Sequence, residues 1–198
     1  YTLNQNIDAY SRRPRDYVRK TRRINTMATT TFSGPVKSQR GFVTAGPDAV
    51  VNITAETTLT FAAHAGKVIK VNDADGAITL PTIKADSKGG TAGDNDPNVN
   101  SHLGAVYKFF VGTDCTDCDI KTDGTDKFVG HATVVNVADG TNNTFAPGAT
   151  NDVISMNGGT TGGDKGSTVT ITALEDNVYL VEAVLIGTGT EATPFADS

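Results

Sequence analysis

The stretch "STVTITALEDNVYLVEAVLIG", residues 167–187, decides the fold class. In its first third Val169, Ile171 and Ala173 alternate strictly with Thr168, Thr170 and Thr172. That period of two puts one face of a strand in a core and the other in water. Residues 178–187 are instead apolar on both faces, which suits a strand at the centre of a sheet.

Working outward, the same signals recur in short runs. "AVVNI" (49–53) and "TTLTFAA" (57–63) come first, with Leu59, Phe61 and Ala63 on one face of the second. "KVIKV" (67–71), "AITLP" (77–81), "GAVYKFFVG" (104–112), "DIKT" (119–122), "KFVGHATVVNVA" (127–138) and "DVISM" (152–156) follow. Asp75-Gly76, between two apolar runs, reads as a hairpin turn. The chain holds 30 Thr and 21 Gly and has no Trp. Thr and Val favour strands, and Gly, Asn and Asp supply turns. The fold class is all-β, a β-sandwich or β-barrel of about nine or ten short antiparallel strands. No repeat period is visible, which argues against a solenoid or propeller.

Charge divides the chain at Met27. Residues 1–26 hold seven Lys/Arg against Asp8 and Asp16, a balance of +5, and the remainder carries −10. An acidic body repels phosphate, so nucleic acid is not an expected partner of the domain. No apolar run approaches the roughly 20 residues that span a membrane, so no membrane partner is expected. Residues 1–26 stand apart from the fold. They read as upstream sequence carried into a reading frame, as a basic arm in which Pro14 opens a short helix from Arg15 to Ile24, or as a precursor segment. Residues 27–48 read as an extended arm and linker punctuated by Gly-Pro, and residues 49–198 as the β domain. Within that domain, residues 84–103 are almost devoid of apolar side chains and form a long loop.

Cys115-Thr-Asp-Cys118 is the sharpest chemical motif. One CxxC supplies half of a zinc site, there is no second, and His131 stands thirteen residues away. A local disulfide or a pair of free thiols is therefore expected, with a metal shared between subunits or a redox role as the alternatives. "NGGTTGGDKGS" (157–167) has the glycine spacing of a phosphate loop, but Asp164 stands where the lysine belongs, so a glycine-rich turn is expected. The acidic clusters fail the calcium-loop pattern, because Lys121 follows Asp119 at an oxygen-ligand position. His64, His102 and His131 have no neighbouring nucleophile or carboxylate pattern. No enzyme, cofactor or metal is expected.

A resemblance adds to this reading. "GKVIKVNDADGAITLPT", "GAVYKFFVG" and "DVISMNGGTTGGDKGSTVTITALEDNVYLVEAVLIGTGTEATPF" together resemble head-decoration proteins of tailed bacteriophages, over about residues 66–195. In that family a "G-x-Y-x-F" strand follows a Leu-Pro turn, an "N-G-x-T-T-G-G" turn leads into paired strands, and the end reads "G-T-G-T…A-T-P-F". The chain departs from the pattern in having Tyr179 where a Trp is common, and in its CxxC and its 84–103 loop. The resemblance implies a non-enzymatic virion protein on the outer capsid surface, bound to the major capsid protein and to itself, usually as a homotrimer. On this reading Phe32, Val36 and Phe42 are apolar anchors of an arm laid on the capsid or on a neighbouring subunit by added-strand pairing. The alternative is a fibre or adhesin module that binds host-surface glycans, with loop 84–103 as its tip.

Overall fold

The computed structural model describes residues 45–83 and 102–198. The expected arm anchors Phe32, Val36 and Phe42, the basic segment and most of the 84–103 loop lie outside the described residues. After a 3-10 turn at Pro47–Ala49 the strands are β1 (Val50–Ile53), β2 (Thr57–Thr58), β3 (Val68–Val71), β4 (Ala77–Thr79), β5 (Val106–Val111) and β6 (Cys118–Lys121). They continue as β7 (Lys127–Asn136), β8 (Asn142–Phe145), β9 (Val153–Met156), β10 (Thr168–Glu175), β11 (Val178–Gly187) and β12 (Phe195–Ala196). A single helical turn, α1 (Phe61–His64), lies between β2 and β3.

These strands form a seven-stranded sheet, β1-β3-β5-β10-β11-β7-β8, and a five-stranded sheet, β12-β9-β6-β4-β2. The all-β class expected from the alternating Thr and Val pattern is therefore the fold, and of the sandwich and barrel expected it is the sandwich. Its pairing is mixed, however, where all-antiparallel strands were expected. β1, β3 and β5 pair in parallel, as do β2, β4 and β6, and β7 runs parallel to β11. Parallel neighbours need a crossover, and here the crossover is a strand of the other sheet: β1 through β6 alternate between the two layers.

The opening half is thus a short two-layered coil. Its period is hidden because the turns differ in length. Val50 pairs with Val68, eighteen residues on, but Val68 pairs with Lys108, forty residues on. In the other sheet the steps are twenty-one residues, from Thr57 to Ile78, and forty-two, from Ile78 to Ile120. The second turn of each is longer by about the length of the 84–103 segment, and that insertion masks the repeat.

The same winding corrects three local expectations. Asp75-Gly76 does not close a hairpin, because β3 and β4 lie in different sheets. Val71 and Ile78 are both buried, and a chain that must bury both flanks in one core changes layer instead of turning back on itself. "TTLTFAA" breaks after Thr58: the Thr60 side chain accepts from the Ala63 amide (3.4 Å) and caps α1, while Leu59 stays buried. Twelve strands are present among the described residues where nine or ten were expected, since β2 and β12 are two residues long and β8, "NNTF", is mostly polar.

The core lies between the layers. Ile69, Val71, Tyr107, Phe109, Val111, Val169, Ile171, Tyr179, Val181 and Leu185 come from the large sheet, and Ile78, Ile120, Ile154, Met156 and Phe195 from the small one. Tyr107 and Tyr179 meet edge to face with centroids 6.5 Å apart. The Tyr179 hydroxyl donates to the Pro81 carbonyl at 2.5 Å, whereas the Tyr107 hydroxyl has no partner, and burial pushes its phenol up to about 12. No helix among the described residues is long and apolar enough to cross a membrane.

Three carboxylates tie down the end of the sandwich where β7 begins. Asp152 forms an ion pair with Lys127 at 2.7 Å and accepts from the Ser198 amide at 2.8 Å. Burial alone would raise its pKa, but these bonds outweigh burial and lower it. Asp123 is likewise lowered: the Thr82 hydroxyl and the Thr125 and Asp126 amides overcome its burial. Asp126 behaves oppositely. It is fully buried, one oxygen accepts from the Ile83 amide at 2.9 Å, and the other has no partner. Burial raises its pKa, and the charges of Asp123 and Asp176 add to the effect.

A raised folded-state value means that the native protein holds this proton more tightly than the unfolded chain. Its contribution is complete below the unfolded-state pKa and is lost as pH rises through the folded-state one. Asp126→Asn is accordingly expected to melt above the wild type at pH 7, with an advantage that shrinks toward acid pH. Thermal melts at a series of pH values check this, and a constant offset would show that the carboxyl's ionisation is irrelevant.

Candidate functional site

Strand directions collect the sequence motifs at one end of the sandwich. β1, β3, β5, β7 and β11 run one way, so residues 72–76, 112–117, 157–167 and 188–194, each joining one sheet to the other, emerge together. Their contacts are dense. The Thr116 amide donates to the Ala74 carbonyl at 2.6 Å, the Cys115 amide to the Gly163 carbonyl at 3.0 Å, and the Ala192 amide to the Thr160 carbonyl at 2.8 Å.

Cys115 and Cys118 sit inside this knot as free thiols, both buried and hydrogen-bonded to each other. Cys118 Sγ also donates to the Asp73 carbonyl at 3.0 Å. The hydrogen bond to Cys118, together with burial, raises the pKa of Cys115, while the same bond lowers that of Cys118. Among the described residues no third His, Cys, Asp or Glu joins them to form a metal-binding group. Cys115 also packs against the glycine turn, with Gly163 beside its side chain and Gly158 against its carbonyl. Its evident role is to knit two connections together. Iodoacetamide is expected to leave both thiols unmodified in the native protein and to label both in urea. Mass spectrometry of the labelled protein reads the result, and rapid native labelling would overturn the assignment.

Most amides of the 157–167 turn are already engaged within the protein. Gly159 and Thr161 donate to Asn157 Oδ1 (2.9 and 3.1 Å), Asp164 to the Ile186 carbonyl (2.8 Å) and Lys165 to Asp114 Oδ1 (2.7 Å). Burial and the neighbouring Asp114 raise the pKa of Asp164. The histidines do not converge either. His64 accepts from the Thr60 amide at 2.9 Å, His102 stacks on Phe61 at 4.5 Å, and His131 is exposed on β7.

What the geometry does offer is a broad sheet face. The seven-stranded sheet buries one side against the smaller sheet, and no layer of described residues covers the other. Register aligns Val50, Val68, Lys108, Thr170, Glu182 and His131 in one row across that open side. The next row runs Lys70, Phe110, Thr168, Val184 and Thr133, and a third runs Val106, Thr172, Leu180 and Val129. Val50, Val68, Val129 and Val184 are between 40 and 49 % exposed.

No family model, curated protein or solved structure matches the chain.

β11 explains what the sequence reading missed. Its apolar residues on both faces suggested a strand at the centre of a sheet, and it lies there, between β10 and β7. Described residues cover only one of its faces, so Leu180, Val184 and Ile186 form an apolar excess beyond what the core uses. The signal was present in "VYLVEAVLIG", but sequence alone does not distinguish an apolar face that meets a second layer from one that awaits a partner.

Proposed function

We propose that this chain is a non-enzymatic structural protein of a phage virion that docks on the outer surface of the capsid, against the major capsid protein, and stabilises or decorates the shell. The observation that carries this reading is the uncovered outward face of β11 and its neighbours, where Leu180 and Val129 stand side by side and Val184 lies beyond the row of Thr170, Glu182 and His131, with threonines of β10 alongside. Apolar side chains gathered on an uncovered sheet face and bordered by polar ones support a protein-docking surface. The end loops support a scaffold role, since their amides and thiols are engaged with one another. The resemblance of the 152–195 motifs to head-decoration proteins supplies the choice of partner.

A single domain offers modest contact area, and several copies joined together gain affinity through effective concentration. The test is co-sedimentation with heads stripped of this protein. Val184→Glu with Val129→Glu is expected to weaken binding at least about 100-fold, taking two buried charges at roughly 1.4 kcal/mol or more each, with the melting temperature unchanged. Unimpaired binding by the double variant would overturn the reading. Hundreds of copies per virion favour decoration, and a few to a few dozen favour the fibre or adhesin alternative.

A further inference from the structure

The open face of the large sheet carries an internal symmetry in its three central strands, β5, β10 and β11. Thr168, Thr170 and Thr172 point outward from β10 as a ladder of hydroxyls. β5 and β11 flank it, and both run antiparallel to it, so they run parallel to each other. In register with the three threonines, β5 presents Phe110, Lys108 and Val106, while β11 presents Val184, Glu182 and Leu180. Each flank therefore reads apolar, charged, apolar, and the two charges are opposite in sign at the same height. Within one copy Lys108 and Glu182 stand two strand spacings apart, about 10 Å, with Thr170 between them. Both are exposed, and neither forms an ion pair with a described residue.

We infer that in the free protein a second copy of this chain covers this face, in a dimer whose two-fold axis runs along the threonine ladder. Rotation about that axis keeps each row at its own height and exchanges the flanks. Val106 then faces Leu180 of the second copy, Phe110 faces its Val184, Lys108 faces its Glu182, and each threonine faces its counterpart. Every contact between flanks is made twice, as a two-fold interface requires. The next strands agree: Val68 faces His131 of the second copy and Lys70 faces its Thr133, so no two like charges face each other. Charge also selects this axis over the other one. A two-fold axis across the strands, along the row of Lys108, Thr170 and Glu182, would set Lys108 on Lys108 and Glu182 on Glu182. Sheets packed face to face with strands aligned to within about 30° form an ordinary sandwich, with layers about 10 Å apart. The area is modest. Five strands, about 24 Å across, by the eight residues of β10, about 27 Å long, give roughly 650 Å² per copy. Stable interfaces commonly bury about 800 Å² per partner, so this dimer is one that exchanges. Exchange suits a cover that must come off. Resting on the docking reading above, the second copy and the shell compete for one face, and a copy docks only when released from its partner.

The first test uses the full chain without capsids, so that a failure of head docking leaves it untouched. Sedimentation velocity is expected to show a concentration-dependent dimer for the wild type. Lys108→Glu and Glu182→Lys are each expected to raise its dissociation constant at least about 10-fold, since each turns two attractive contacts into two repulsive ones. Both side chains are exposed, so the melting temperatures stay unchanged. Mixing the two variants is expected to restore a dimer, because both facing pairs are then opposite in charge. Thr170→Cys places a thiol beside the axis, and oxidised glutathione is expected to link two copies through it, while Cys115 and Cys118 stay buried. These linked dimers are expected to stay off stripped heads until reduced. A monomeric wild type, or a mixture of the charge variants that stays monomeric, would overturn the dimer. Docking of the linked form would overturn the competition, and no docking in either state would overturn the docking reading while the dimer stands.

Discussion

Gly163→Ala is expected to destabilise the protein by about 2–5 kcal/mol, enough to unfold a marginal domain. Gly163 has φ +105°, a conformation that side chains rarely adopt. A Cβ there would lie 2.6 Å from the Met156 Cβ and 3.0 Å from the Cys115 Cβ. Neither neighbour can yield: Met156 is fully buried on β9, and Cys115 is held by its amide bond to the Gly163 carbonyl. Gly66 provides the control. It has φ +75° and nothing within 4 Å of its missing Cβ, so Gly66→Ala carries only the backbone term, about 1–2 kcal/mol. Urea denaturation of the two variants separates the contributions. Equal losses would show that the packing of the glycine turn against Cys115 contributes nothing.

The second large effect lies in the tyrosine pair. Tyr179→Ala is expected to cost about 3–5 kcal/mol, the range for removing a large buried ring. Tyr179→Phe keeps the ring and the contact with Tyr107 but strips the Pro81 carbonyl of its donor, for a loss of about 1–2 kcal/mol. Tyr107→Phe should behave differently. Its hydroxyl is buried with no partner, so its removal relieves a desolvated polar group, and stability is expected to hold or rise. Equal losses for the two Phe variants would mean that the Pro81 bond is not made in solution.

The particular residues explain how far the sequence could be read. The Thr168 to Ala173 alternation is legible because a half-buried strand needs nothing beyond its own period, and β10 lies where that period puts it. The partnership of β7 with β11 was not legible, because a parallel pair carries no local signature and its members lie 51 residues apart, from Lys127 to Val178. Asp75-Gly76 misled for a related reason: a tight turn between apolar runs serves a hairpin and a change of layer equally well. The open face was hidden more deeply. Val184 is an ordinary residue in its own strand, and only its neighbours reveal that no layer of described residues covers it. The cysteine pair was found by its spacing, but its burial and its bond to Asp73 depend on which loops the topology brings together.

The layered winding of the first six strands also bears on how the chain reaches its native state. β10 and β11 are joined by Asp176 and Asn177, with Asn177 at φ 60°, and are the sheet neighbours closest in sequence. They can meet within microseconds, as hairpins do. Every strand of the opening coil must instead find a partner at least eighteen residues away, and β5 must reach β10 across sixty or so residues before β3 and then β1 have an edge to join. Loop-closure entropy therefore comes due before these contacts reward it, and refolding is expected on the millisecond-to-second scale typical of non-local β topologies. Until that docking is complete, the apolar flank of the early hairpin stays bare. Wherever the chain is made, these half-built sheets are sticky, and their safe assembly depends on how quickly the N-terminal coil closes over them.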